Sequence, residues 1–268
     1  MKKAMIDRLS ALAAALAAAL VVALAGGCLS FDMESDEAPS DITVAELLKR
    51  MDKARDPDGI FDKAGSYVQK QIQTDQRGEK KLCIVRYLAP DCLRSTLFYD
   101  NQPEQELILN GNSGWRVDYL KRTVTQLSAE VLSMLQTLFQ LDNPDGSDYL
   151  ALFEEVELTR CRIGDEDLYK LLCRPRDTKD YGFAVYVGNS SYLTRRLRII
   201  SPDDEVLEEA IIDRYALFEG VMMPETTRQI GLVESSSKVI ETRLNVEMRR
   251  DDFLPPVFPQ ITDSDDKD

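Results

Sequence analysis

Apolar residues along this chain follow two periods, one near 3.6 and one of 2, and the switches between them divide it into blocks. Val44, Leu47, Leu48 and Met51 fall on one helical face. Ahead of them Thr43 and Glu46 stand at capping-box spacing, while Ile42 and Leu47 occupy the two positions of a hydrophobic staple, so a helix is predicted to begin here. From residue 66 to 124 the pattern becomes short β segments, at 67–74, 80–88, 94–99, 106–109 and 115–119. They are separated by turn-forming runs such as Gln76-Arg77-Gly78 and Asn110-Gly111-Asn112-Ser113-Gly114. A second helical stripe, Val131, Leu132, Leu135, Leu138 and Phe139, follows Ser128 as a candidate cap and is stopped by Asn143-Pro144, with a shorter amphipathic piece over 148–153. Strands resume at 156–163, 168–174, 183–187, 193–200, 205–217, 224–233 and 238–249. In the last of these Ile240, Thr242, Leu244, Val246 and Met248 alternate with charged and amide residues. One face of most strands should be buried and the other wet. The order predicts an α+β protein in which two antiparallel meanders flank an inserted helical pair.

The first 41 residues carry a different message. Lys2, Lys3 and Arg8 precede an Ala/Leu/Val run at 11–25, too short for the roughly 20 residues of a bilayer-spanning helix, and Gly26-Gly27-Cys28 follows it. These are the parts of a secretory signal peptide over 1–27. The segment 28–41 is polar and acidic and reads as a flexible tether, reaching about 40 Å when extended. The folded body is expected over 42–255, and the acidic tail 256–268 should be solvated.

Charge and composition narrow the function. The 268 residues carry 33 Lys and Arg against 47 Asp and Glu, a formal charge of −14. Removing 1–27 takes away Lys2, Lys3, Arg8 and Asp7, which leaves −16 on the remainder. Phosphate backbones and anionic lipid surfaces repel such a chain, so no nucleic-acid partner is expected. The chain has no histidine. That removes the usual general base, the commonest metal ligand and every Ser-His or Cys-His pair, so a catalytic site, a metal and a cofactor are not expected. Cys83, Cys92, Cys161 and Cys173 allow three disulfide connectivities. A hairpin turn at 164–167 would set Cys161 opposite Lys170 and not Cys173, which leaves pairs between distant strands or free buried thiols.

Several other clusters read as ordinary surface. The loop Asp142-Asn143-Pro144-Asp145-Gly146-Ser147-Asp148 fails as an EF-hand, because registering on Gly146 places Leu141 and Leu152 at ligand positions. Glu208 and Glu209 read as adjacent acids on a wet face, and Arg195, Arg196 and Arg198 as cross-strand partners of the acidic strand 205–213. Trp115 is either hairpin packing or part of a ligand-lining wall.

Two resemblances go further. The Leu24-Ala25-Gly26-Gly27-Cys28 ending is similar to the lipobox of bacterial lipoproteins, in which that cysteine carries diacylglyceryl and palmitate chains and becomes the mature N-terminus. Pro90-Asp91-Cys92-Leu93-Arg94, the hairpin Leu107-Ile108-Leu109-Asn110-Gly111 with Trp115-Arg116-Val117-Asp118, and Phe218-Glu219-Gly220-Val221-Met222-Met223-Pro224 resemble, in that order, motifs of the LolA/LolB-like lipoprotein carrier and acceptor superfamily. The resemblance spans most of 42–253. It implies an incomplete antiparallel β-barrel, a strongly bent sheet whose concave face helices cover, and a cavity for hydrophobic ligand. The residues it suggests for that cavity are Trp115, Val117, Leu132, Leu135, Phe139, Phe183, Val185 and Leu197, with Arg94 as the motif arginine. It also implies a membrane-anchored, chaperone-like acceptor or carrier of lipoprotein acyl chains or lipid. Such a protein would be held at the membrane by its own N-terminal lipid, face the periplasm from the outer membrane, and meet a periplasmic carrier protein. Leu29, where an Asp would signal inner-membrane retention, favours the outer membrane. The alternatives are a regulatory module that uses the same fold to bind a protein of an envelope stress or assembly system, and a structural lipoprotein whose cavity is filled by its own side chains.

Overall fold

The computed structural model describes Glu34 and residues 37–141, 149–231 and 234–259. The signal segment, Cys28, the loop 142–148 and the acidic end of the chain lie outside the described residues. Among the described residues fourteen strands form one antiparallel sheet. The first meander comprises β2 (Ser66–Asp75), β3 (Lys80–Leu88), β4 (Cys92–Tyr99), β5 (Gln102–Asn110), β6 (Ser113–Asp118) and β7 (Thr123–Gln126). The second comprises β8 (Phe153–Ile163), β9 (Glu166–Pro175), β10 (Gly182–Gly188), β11 (Thr194–Ile200), β12 (Val206–Phe218), β13 (Val221–Ile230) and β14 (Ser235–Leu244). Strand β14 pairs with β2 and so fuses the meanders, while the two-residue β1 (Ala38–Pro39) adds to β8 at one edge and β7 forms the other. The sheet is open between β1 and β7, as expected for an incomplete barrel.

Helices α1 (Val44–Arg55) and α3 (Ala129–Leu141) lie on one side of this sheet. Thr43 caps α1 by accepting from the Glu46 amide at 3.2 Å, and the helix buries Leu47, Leu48 and Met51, the predicted stripe. Ser128 accepts from the Val131 amide at the start of α3. The first stripe and Val131, Leu132, Leu135 and Leu138 of the second enter a single cluster with Val85, Leu93, Leu97, Leu107 and Leu109 from β3–β5 and with Leu171, Phe183, Val185 and Ile199 from β9–β11. These two sets of strands are separated in the sheet by four others. They can share one core only because the sheet curls around the helices, so the side that carries this cluster is the inner face. A short α2 (Ile60–Lys63) closes one end: the buried Asp56 carboxylate accepts from the Ile60 and Phe61 amides, and Phe61 packs with Val221 and Met223. The β12–β13 turn uses Glu219 and Gly220, both at positive φ, where glycine costs nothing.

Several expectations are corrected. Ala38–Pro39 pairs with Thr159 and Arg160 of β8, and Glu34 bridges to Ile163, so the last part of the segment read as a tether runs along the sheet edge. The β8–β9 turn is shorter than 164–167, with Ile163 opposite Glu166, and Cys161 therefore faces Leu168 and not Lys170. Alternation in the last strand breaks at a bulge between Val239 and Glu241. Val239 is buried while Ile240 is 52% exposed, Thr242 turns inward, and the strand ends at Leu244. Residues 256–259 are not a free tail, since Phe258 packs edge-on against Tyr119. Glu208 and Glu209 are each only 1% exposed and are not on a wet face.

All four described cysteines are free and buried. Burial pushes the Cys83 thiol up to about 11, against the lowering effect of its neighbours Ser95 and Gln71. Burial and then the Glu34 charge push Cys161 up to about 12. An unfolded chain releases these protons first. The stability tied to the neutral thiols is therefore full below about pH 9 and falls as pH rises toward the folded values, by up to about 1.4 kcal/mol per pH unit for each thiol. Native protein at pH 8 is expected to resist thiol alkylation until it is unfolded in urea. Rapid labelling of Cys83 or Cys161 in the folded chain would contradict this.

Candidate functional site

The inner face has two characters. Its wings are apolar: Leu132 and Leu135 of α3, Phe183 and Val185 of β10 and, at the margin, Leu197 of β11 belong to one cluster, so five of the residues expected to line a ligand wall are brought together. Phe139 lies on α3, and its side chain is outside what is described. Between the wings the middle strands present polar side chains. Gln71 lies opposite Cys83 of the core cluster and therefore points inward, with Gln69 and Gln73 on the same face of β2. Gln73 pairs with Ser237, and Ser235 of β14 pairs with Gln229, which in turn is opposite Ala210 of β12. Glu208 follows two residues along, seated where Gly231 has no side chain, since a Cβ there would overlap its carboxylate. Cys83 and Ser95 extend the band on the other side, sulfur to hydroxyl 3.5 Å. Gln71, Gln73, Gln229, Ser237, Ser95 and Glu208 are all buried.

Nothing in the alternation of β2 marks this band. Val68 and Ile72 are the apolar residues of that strand, and a reading by pattern alone turns them inward. The structure turns the glutamines inward instead, because the register with β3 is held by Val85 and Cys83 entering the core. The run Gln69-x-Gln71-x-Gln73 was the available signal.

Three of the expected site residues lie on the opposite side of the sheet. Trp115 and Val117 pack with Cys92, Ile108 and Phe253, under the final 3₁₀ turn Arg250–Phe253. Their strand alternates, so Gly114 faces the helix and Trp115 turns away; of the two readings of Trp115, hairpin packing is the one found. Arg94 shares this outer face. Its Nε and Nη2 donate to the two oxygens of Glu106 at 2.9 and 2.8 Å, and its Nη1 donates to the Asp252 carbonyl at 2.7 Å. Thr96 and Tyr119 also donate to the Glu106 carboxylate, at 2.7 and 2.8 Å. Burial opposes the charge on Arg94, but Glu106 outweighs it and holds the guanidinium above its ordinary pKa. With the Glu106 carboxylate accepting from four donors and the remaining Arg94 nitrogen bonded to the Asp252 carbonyl, this group fastens the 3₁₀ turn Arg250–Phe253 to β4 and β5.

The arginines of β11 are paired largely as expected. Arg198 donates to Glu209 at 2.7 Å, Arg196 lies 3.5 Å from the same carboxylate, and Arg195 reaches Glu166 instead. Arg198 also donates to the Tyr186 hydroxyl, which donates at 2.9 Å to Glu34; Lys170 lies 2.9 Å from Glu34 and 2.5 Å from Glu37. Glu34 and Glu37 are thus tied to the outer face of β9–β11 by partly buried ion pairs and hydrogen bonds. No group of three or more acidic or cysteine side chains among the described residues could hold a metal ion.

No family model matches the sequence, and no curated protein matches it. Solved structures do resemble it in fold. A DUF1329 family protein from Desulfovibrio piger aligns with a TM-score of 0.55 at 12% identity, over 78% of this chain and 95% of that one. A Vibrio parahaemolyticus domain assigned to outer-membrane lipoprotein sorting aligns at 0.54 and 12%, over 78% and 95%. A LolA superfamily protein from Nitrosomonas europaea aligns at 0.53 and 13%, over 80% and 98%. The open fourteen-stranded sheet curled around its helices is a LolA-like fold.

Proposed function

We propose that this chain is a non-enzymatic lipoprotein of the bacterial cell envelope, anchored through Cys28 in the outer membrane and facing the periplasm, that receives the acyl chains of other lipoproteins or lipids. One observation carries the reading: Leu132, Leu135, Phe183, Val185 and Leu197 bring a helix and the distant wing of an open sheet onto one apolar wall, which an acyl chain can enter if α3 shifts. At about 25 cal/mol per Å², shielding a few hundred Å² of hydrocarbon is worth several kcal/mol with no base, metal or cofactor. Lipid on Cys28 would hold the chain at the membrane despite its negative charge, because several acyl chains at about 0.8 kcal/mol per buried CH₂ anchor far more firmly than one. With Glu34 held on the sheet, the sequence separation from Cys28 allows at most about 20 Å, which would keep the body close to the bilayer.

The test uses the full chain with Cys28→Ser. Loss of acyl mass and of membrane association is expected first. The released protein, mixed with lipidated and delipidated forms of one lipoprotein, should prefer the lipidated form by at least about tenfold, with little change when salt shortens the Debye length from about 10 to 3 Å. Equal affinity for both forms, or binding lost in moderate salt, would sink the acyl-chain reading.

A further inference from the structure

We infer that the polar band across the middle of the inner face is a recognition site for the ester carbonyls of an uncharged acyl glyceride, so that the wall selects acyl esters over plain hydrocarbon. The inference rests on the acyl-binding reading above and adds what the lipid must carry. Gln71 and Gln229 are 4% and 5% exposed, and the Nε2 of each has no hydrogen-bond partner. The Gln71 side chain lies beside the Cys83 thiol, a weak acceptor. An amide donor buried without an acceptor is costly, and a native fold rarely keeps two on one face without a use. They are joined by a diagonal of polar neighbours, Gln73 and Ser237 in one row and Ser235 in the next, spaced about 5–8 Å between side-chain bases.

The chemistry of the band limits its occupant. Two amide N–H₂ groups ask for acceptors. A phosphate or a free carboxylate would meet the buried Glu208 at the end of the same band and a chain of net charge −14, so an anionic head is disfavoured. An ester carbonyl is a neutral acceptor attached directly to an acyl chain. With the carbonyls at the glutamines, the chains extend over the apolar wings beside them, where Leu171, Phe183 and Val185 lie. The diacylglyceryl group of a lipoprotein and a free diacylglycerol present the same esters.

Dioctanoylglycerol and its diether, di-O-octylglycerol, differ in these carbonyls. Competition of each against a bound apolar dye on the Cys28→Ser chain should show the diester tighter by about tenfold, the effect of two neutral hydrogen bonds. Gln71→Met with Gln229→Met keeps side-chain length and removes the donors. It should abolish the preference for the diester over the diether, and a cooperative urea transition shows that the variant is folded. A neutral S-diacylglyceryl-cysteine peptide with octanoyl chains identifies the source: binding tighter than the free glyceride points to lipoprotein, and weaker binding to free lipid, with the ester preference present in both. Equal wild-type affinity for diester and diether, or a preference that survives in the double variant, overturns the inference and leaves acyl binding standing; the polar band would then hold only water. If neither lipid binds, the acyl-binding reading fails and takes this one with it.

Discussion

Glu106→Ala is expected to destabilise the protein by about 3–5 kcal/mol, because it strands the Arg94 guanidinium on the outer face with only one carbonyl for company. Four donors converge on this carboxylate, from Arg94 twice and from Thr96 and Tyr119. The carboxylate itself is 5% exposed, so water cannot replace it. Removing both charges should be far milder: Arg94→Leu combined with Glu106→Leu leaves no buried ion to solvate and should recover most of the loss. Urea unfolding that shifts in midpoint at constant slope would measure it. A single-variant loss below about 1 kcal/mol would mean that the site relaxes or hydrates and that the fastening is unimportant.

Phe253→Ala is the second large effect, about 3–5 kcal/mol. Phe253 is wholly buried against Cys92, Ile108 and Val117, and it is the one fully buried side chain of the 3₁₀ turn that crosses β4 and β5. Its loss should also release the polar contacts on either side of it. Arg250 reaches the Asn110 side chain at 2.7 Å and Asp91 at 3.1 Å, and the Asp252 carbonyl reaches Arg94. Limited proteolysis should then trim the chain from its C-terminal end at protease levels that leave the parent intact. Unchanged trimming together with the full stability loss would show that the polar contacts hold the segment without the ring.

How far the sequence could be read depended on which interactions decide each element. The α1 cap and stripe were legible because Thr43, Glu46, Leu47 and Met51 act within one or two turns. Strand β3 was legible end to end because its apolar residues alternate and turn chemistry brackets it. Strand β7 was not: Thr123–Gln126 are all exposed and carry no one-sided pattern, and the strand exists only because β6 offers an unpaired edge. The family-motif resemblance around Arg94 could not say which face of the sheet that arginine serves. That is set by the parity of β4, where Leu93, Ser95 and Leu97 turn inward and carry Arg94 out.

By itself the sequence determined most of the element types, the two meanders with helices between them, the absence of histidine and the net acidity. All of these depend on local spacing or on composition, which survive unfolding. Tertiary structure alone decided that β14 pairs with β2, that the sheet curls until β3–β5 and β9–β11 share one core, and that Trp115 lies outside while Gln71 and Gln229 lie inside. A shift of one residue in pairing exchanges the faces of a strand, and pairing between residues some 170 apart, as between β2 and β14, is fixed by how the whole sheet closes on its helices and not by any pattern within either strand.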